Sequence, residues 1–116
     1  MINDVTIFHK TTCSTSKKAL QLLMENKVMP KIRLYVDEPP TQVELKALLK
    51  KLGLKAEDIV RKKEKLYKEE YAGKQLTQAE WIRVLSKNPI LIERPIVIKG
   101  DKAVVGRPPE KVLEIL

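Results

Sequence analysis

The sequence predicts an α/β fold, and three observations carry that expectation. A β-prone run, a helical run and a second β-prone run succeed one another within the first 36 residues. The segment from about 41 to 88 is helical in character and carries two capping boxes. The chain then changes to two β-branched runs flanking a Gly-Asp turn, followed by a last apolar stripe at helical spacing.

The first run is Val5, Thr6, Ile7 and Phe8, and residues 4–8 read as a buried strand. A helix is expected from about 14 to 26, with Ala19, Leu20, Leu23 and Met24 at its apolar spacing. The stretch KIRLYV, Lys31 to Val36, alternates and puts Ile32, Leu34 and Val36 on one face of a second strand. A strand, a helix and a strand in succession form a βαβ unit, whose crossover makes the strands parallel.

Pro39 and Pro40 then interrupt the chain. Thr41 with Glu44 is a capping box, Leu45, Leu48, Leu49 and Leu52 form an apolar stripe, and Gly53 suits a C-cap. Short helices are expected around 57–61 and 64–71. Thr77 with Glu80 opens another helix, expected to run to about Ser86 with Trp81, Val84 and Leu85 inward, and Asn88-Pro89 ends it. Ile96–Ile98 and Ala103–Val105 flank Gly100-Asp101 as a hairpin. Pro108-Pro109 introduces a final helix, with Val112, Leu113 and Leu116 as its expected apolar face.

The 116 residues suit one domain spanning 1–116, long enough to bury a core without disulfide or metal staples. No run approaches the ~18 apolar residues of a membrane span, and MINDVTIF lacks the pattern of a signal peptide. With one cysteine, a reducing cytoplasm is the expected location. The net charge is +8. It fits a solvated lysine-rich surface or a field that draws anions. The five aromatic residues are scattered, which argues against a base-stacking nucleic-acid platform. Neither nucleic acid nor membrane is an expected partner.

HKTTCSTSKKAL, residues 9–20, holds the one cysteine, Cys13, and the one histidine, His9. Cys13 falls between the first strand and the first helix. At such a strand-to-helix turn, free backbone N–H groups and the helix dipole stabilise a thiolate. Ser14, Thr15 and Ser16 supply hydroxyls, and His9 lies near the strand end. A lone cysteine also occurs as a small buried hydrophobe, and a lone histidine as a packed or solvated ring. The polar TTCSTS setting favours the reactive reading for Cys13. One cysteine and one histidine are too few for a zinc site, so no metal is expected. Cys13 and Ser16 make C-x-x-S, which cannot close its own disulfide; a redox Cys13 needs an outside thiol.

Three of the five arginines sit at element boundaries: Arg61 in DIVRKKE, Arg94 in ERPI and Arg107 in VGRPP. Arg94 precedes one hairpin strand and Arg107 follows its partner, so both belong to one end of the hairpin. Guanidinium forks suit a tetrahedral oxyanion. Spacing alone also allows three unrelated surface arginines.

The chain resembles the glutaredoxin-coupled arsenate reductase family, a branch of the thioredoxin fold with a helical insertion. The resemblance spans essentially the whole chain. It rests on H-x-x-x-C-S-x-S at 9–16, VRKKE at 60–64, NPILIERPIVI at 88–98 and VGRPPEKVLEIL at 105–116. It implies a thioredoxin-like α/β domain: βαβ…ββα, a four-stranded mixed sheet and an insertion at about 41–88. It implies that Cys13 is the nucleophile, that Arg61, Arg94 and Arg107 bind the oxyanion, and that His9 and Ser16 lower the thiol pKa. Pro95 is expected to be cis beside the site. The implied reaction is reduction of arsenate by a monomer with no tightly bound cofactor, glutathione being the cosubstrate and glutaredoxin the protein partner.

Two departures stand out. The family motif usually has Asn-Pro at Lys10-Thr11, and an arginine at Lys17. Lys17 keeps the charge but not the fork. Two other readings of the same fold remain: a glutathione-dependent thiol-disulfide oxidoreductase indifferent to arsenate, and a redox regulator that binds RNA polymerase. The latter type carries C-x-x-C, and Ser16 argues against it.

Overall fold

A computed structural model describes residues 4–116. They form two compact units: one built from the N-terminal segment to Glu38 and from Arg94–Leu116, the other from Pro39–Glu93. The second corresponds to the helical insertion expected at about 41–88.

The first unit holds a four-stranded mixed sheet. Strand β1 is Val5–Phe8, helix α1 is Ser14–Glu25 and strand β2 is Lys31–Arg33. Strands β3, Ile96–Lys99, and β4, Lys102–Val105, form the hairpin. The order is β2-β1-β3-β4. β1 runs parallel to β2 (Ile7 opposite Ile32) and antiparallel to β3 (Ile7 opposite Val97), and β3 and β4 are antiparallel. This is the thioredoxin-like arrangement. The parallel pair follows from the α1 crossover, and the hairpin from Gly100, whose φ of +58° suits a residue without Cβ.

One face of this sheet packs on α1 and the C-terminal segment. Val5, Ile7, Ala19, Leu23, Val28, Val97 and Val112 form the buried cluster, with Leu20, Leu22, Val104 and Ile115 packed against it. Met24, placed by spacing on the inner stripe of α1, is exposed.

Two expectations for this unit need correction. β2 stops at Arg33, because the N–H groups of Asp37 and Glu38 both bond to the Leu34 carbonyl and turn the chain. The alternation expected through Val36 breaks there. Ile32 and Leu34 are 48% and 37% exposed, while Tyr35 is fully buried. The C-terminal segment is a 3₁₀ helix, Pro109–Ile115. Three residues per turn align Val112 with Ile115 inside, and Leu113 and Leu116 face outward.

In the second unit, α2 is Gln42–Leu52 and α3 is Gln78–Lys87. Both capping boxes form: Thr41 with Glu44 and Thr77 with Glu80. Gly53, at φ +68°, caps α2. Leu45, Leu48 and Leu49 are buried, and Leu52 is half-buried. On α3 the buried residues are Trp81, Ile82 and Leu85; Val84, expected inside, is half-buried. The segments expected as short helices are a 3₁₀ turn at Ala56–Ile59 and a π-helical turn at Tyr67–Tyr71. The π turn stacks Tyr67 on Trp81, with ring centroids 6.4 Å apart. No helix among the described residues is long and apolar enough to cross a membrane.

Candidate active site

β1 ends at Phe8, and five residues later α1 begins. Cys13 is the N-cap of α1, in extended conformation, and its carbonyl accepts from the Lys17 N–H at 3.0 Å. The sulfur therefore sits at the positive end of a twelve-residue helix. It is a free thiol and half-buried.

His9 and Ser16 meet behind it. Ser16 Oγ lies 2.6 Å from His9 Nδ1 and accepts from the Lys10 N–H at 3.3 Å. Both residues are buried. Burial, with repulsion from Lys17, holds the imidazole pKa below its ordinary 6.5. A neutral ring with Nδ1 as acceptor matches a Ser16 hydroxyl that donates to it while accepting from Lys10. Ser16 acts on the sulfur through a different atom: its backbone N–H, in the first turn of α1, favours the thiolate.

The arginines arrive from the hairpin. Arg94 immediately precedes β3 and Pro95, and the Arg94-Pro95 peptide is cis, as the resemblance implied. Ile96 pairs with Val105, so residue 94 and residue 107 leave the sheet at the same end. The Gly106 N–H bonds the Pro95 carbonyl at 2.8 Å. A Cβ at Gly106 would lie 2.9 Å from both Pro95 Cγ and Val112 Cγ1, so only glycine permits this approach. The Arg107-Pro108 peptide is also cis, which the sequence reading did not foresee. Arg107 Nη2 comes 3.7 Å from Cys13 Sγ. Arg94 is 6% exposed, and its guanidinium also bonds the sulfur.

Burial alone pushes the Cys13 pKa up. The Ser16 N–H, the Arg94 hydrogen bond and the charges of Arg94 and Arg107 outweigh it, and the net direction is down from 9.0. Burial likewise opposes the Arg94 charge. Tyr35, by hydrogen bond and charge, and then Cys13 reverse that, and the guanidinium pKa is raised.

Tyr35 is the residue that sequence reasoning missed. Its ring stacks on Phe8, with centroids 5.9 Å apart and planes at 16°. Its side chain hydrogen-bonds Arg94. The alternation of KIRLYV put Ile32, Leu34 and Val36 on one face and left Tyr35 off it. The one available hint was a single aromatic in an otherwise aliphatic and basic run.

The first unit thus brings together Cys13, His9, Ser16, Arg94, Pro95 and Arg107. Arg61 belongs to the second unit. There its N–H bonds the Leu91 carbonyl at 2.7 Å, beside the Val60–Ile92 bridge. Its guanidinium lies 3.7 Å from Glu64 and 3.8 Å from Glu93. The described residues hold no cluster of three or more His, Cys, Asp or Glu suited to a metal ion.

The model of the ArsC family matches residues 8–115, nearly all of both units. The chain belongs to the ArsC family. Its ArsC relatives cover it end to end. An arsenate reductase of Haemophilus influenzae is 45% identical over 115 residues, 97% of this chain and 99% of that protein. An uncharacterized Escherichia coli K12 protein, YfgD, is 45% identical over 118 residues, covering 100% and 99%. The solved structure of an arsenate reductase from Vibrio cholerae superposes with a TM-score of 0.94 at 41% identity, over 99% of this chain and 98% of that one.

Proposed function

We propose that this ArsC-family chain reduces arsenate to arsenite through a Cys13 thiolate. The single observation that carries the reading is the sulfur at the α1 N-terminus with the Arg94 and Arg107 guanidiniums against it. A thiolate approaching an oxyanion meets repulsion of about 4 kcal/mol per pair of unit charges at ~4 Å and an effective dielectric of 20. Two fixed guanidiniums and the helix N-terminus offset that repulsion, and they are in position before the substrate arrives. The wider family resemblance adds Arg61 to the oxyanion-binding set. As part of the proposal, loss of its guanidinium lowers kcat/KM for arsenate.

In the first step the Cys13 thiolate bonds to arsenic, and one oxygen of dihydrogen arsenate leaves as water, carrying both of that oxyanion's protons. The product is a Cys13–S–As(V) adduct. An external thiolate, glutathione in this proposal, then attacks the Cys13 sulfur. An S–S bond forms, the S–As bond breaks, and its electron pair stays on arsenic, which leaves as As(III). A second thiol, delivered by glutaredoxin, cleaves the mixed disulfide and restores Cys13. The balance is one arsenate and two thiols to one arsenite, one disulfide and one water. External thiols are required because the chain has one cysteine. Such chemistry fits a reducing cytoplasm. A monomeric enzyme is part of the proposal.

The test is arsenate-dependent NADPH oxidation in an assay coupled through glutathione reductase, with glutathione and glutaredoxin present. Activity in the natural protein and none in Cys13→Ser is the expected result. Equal NADPH oxidation with and without arsenate in the presence of a mixed disulfide substrate identifies a plain thiol-disulfide oxidoreductase instead.

A further inference from the structure

The mechanism leaves unassigned the Lys10-Thr11 pair, where this chain departs from its family. Both residues line a cleft of about 160 Å³ in the sheet-bearing unit. One wall is Lys10, Thr11 and Thr12, the loop that ends in Cys13; the other is Leu34, Val36 and Asp37, the turn after β2. The two walls are fixed from behind. The Lys10 N–H bonds the buried Ser16 hydroxyl at 3.3 Å, and the Asp37 N–H bonds the Leu34 carbonyl at 3.0 Å.

The chemistry of the cleft is that of an amino-acid headgroup. It presents one cation and one anion, and neither Lys10 nor Asp37 forms an ion pair with a described residue. Between them lie threonine hydroxyls and the aliphatic surfaces of Leu34 and Val36. An ammonium suits Asp37, a carboxylate suits Lys10, and a methylene chain suits Leu34 and Val36. The loop that forms one wall leads directly to the nucleophile.

We propose that this cleft binds the reducing thiol: a small thiol peptide carrying both a free ammonium and a carboxylate, as glutathione does. The inference rests on the reading of Cys13 as a thiol-resolved nucleophile. In it, Lys10 takes a carboxylate and Asp37 the ammonium, and the thiol is held beside Cys13 in position for the second step.

Binding is measured without turnover by following backbone amide shifts during titration with S-methylglutathione, which cannot be oxidised to a disulfide. Shifts centred on residues 10–12 and 34–37, weakened about fivefold in affinity by Lys10→Gln or by Asp37→Asn, are expected. No shift in either segment, or shifts indifferent to both substitutions, overturns the proposal. In turnover, the same variants raise KM for glutathione by a similar factor. Lys10→Gln spares cysteamine, which lacks a carboxylate, and Asp37→Asn spares 3-mercaptopropionate, which lacks an amine. Cys13 alkylation by uncharged iodoacetamide stays unchanged in both. Absence of arsenate reduction in the natural protein, with the amide shifts still present, removes the arsenate reading and leaves the thiol site standing.

Discussion

Arg107 Nη2 lies 3.7 Å from Cys13 Sγ, across 94 residues of sequence. The contact exists because the hairpin returns residue 107 to the end of the sheet where β1 hands over to α1. Gly106 permits the return, since a side chain there would strike Pro95 and Val112.

This contact and that of Arg94 hold the Cys13 pKa below 9.0. Arg107→Ala and Arg94→Ala therefore raise it, each removing one favourable charge. The expected result is less thiolate, and a slower reaction, on the low-pH limb in each variant. The iodoacetamide rate measured against pH reads it directly. The same linkage has a stability sign. A thiol whose pKa falls on folding contributes stability above its unfolded pKa, and that contribution is lost as the pH drops through the folded value.

Ser16 acts on Cys13 through its main chain, and its hydroxyl is engaged by His9 and Lys10. Ser16→Ala should leave the Cys13 alkylation profile nearly in place. It should instead cost about 1–3 kcal/mol of stability, because His9 Nδ1 and the Lys10 N–H lose a buried partner. Urea unfolding at pH 7.5, paired with alkylation, separates the two effects.

Tyr35→Phe keeps the ring on Phe8 and removes the hydroxyl that orients Arg94. A rise in the Cys13 pKa is expected with a stability loss of about 1 kcal/mol. Arg94→Ala should abolish the effect of Tyr35→Phe on the thiol, since one acts through the other. A double-mutant cycle on the alkylation pKa measures that coupling.

His9 has a folded pKa below its ordinary 6.5, through burial and Lys17. Between the folded value and 6.5 the unfolded chain binds more protons, so stability rises with pH across that window. The contribution is present above pH 6.5 and is lost as the pH falls through the folded pKa. His9→Gln should flatten this part of the curve of Tm against pH.

Much of this was legible in the sequence where the determinants are local. Thr41/Glu44 and Thr77/Glu80 are capping boxes wherever they stand, and both close as expected. The βαβ order placed Cys13 at a helix N-terminus, and the hairpin put Arg94 and Arg107 at one end of the sheet. The errors fall where a tertiary hydrogen bond overrides a periodic pattern. The Leu34 carbonyl captures two N–H groups, ends β2 and buries Tyr35 rather than its neighbours. The tail tightens from 3.6 to three residues per turn, and Ile115 replaces Leu113 and Leu116 inside. The link from Tyr35 to Arg94 spans 59 positions and has no sequence period to announce it.

The central claim is that Cys13 is an ionised thiol facing an oxyanion cradle, and alkylation with and without arsenate tests it most directly. The account predicts an iodoacetamide rate that rises well below pH 9 and is slowed by arsenate in a saturable way. A rate that rises only around pH 9 or above, with no change when arsenate is added, would contradict it.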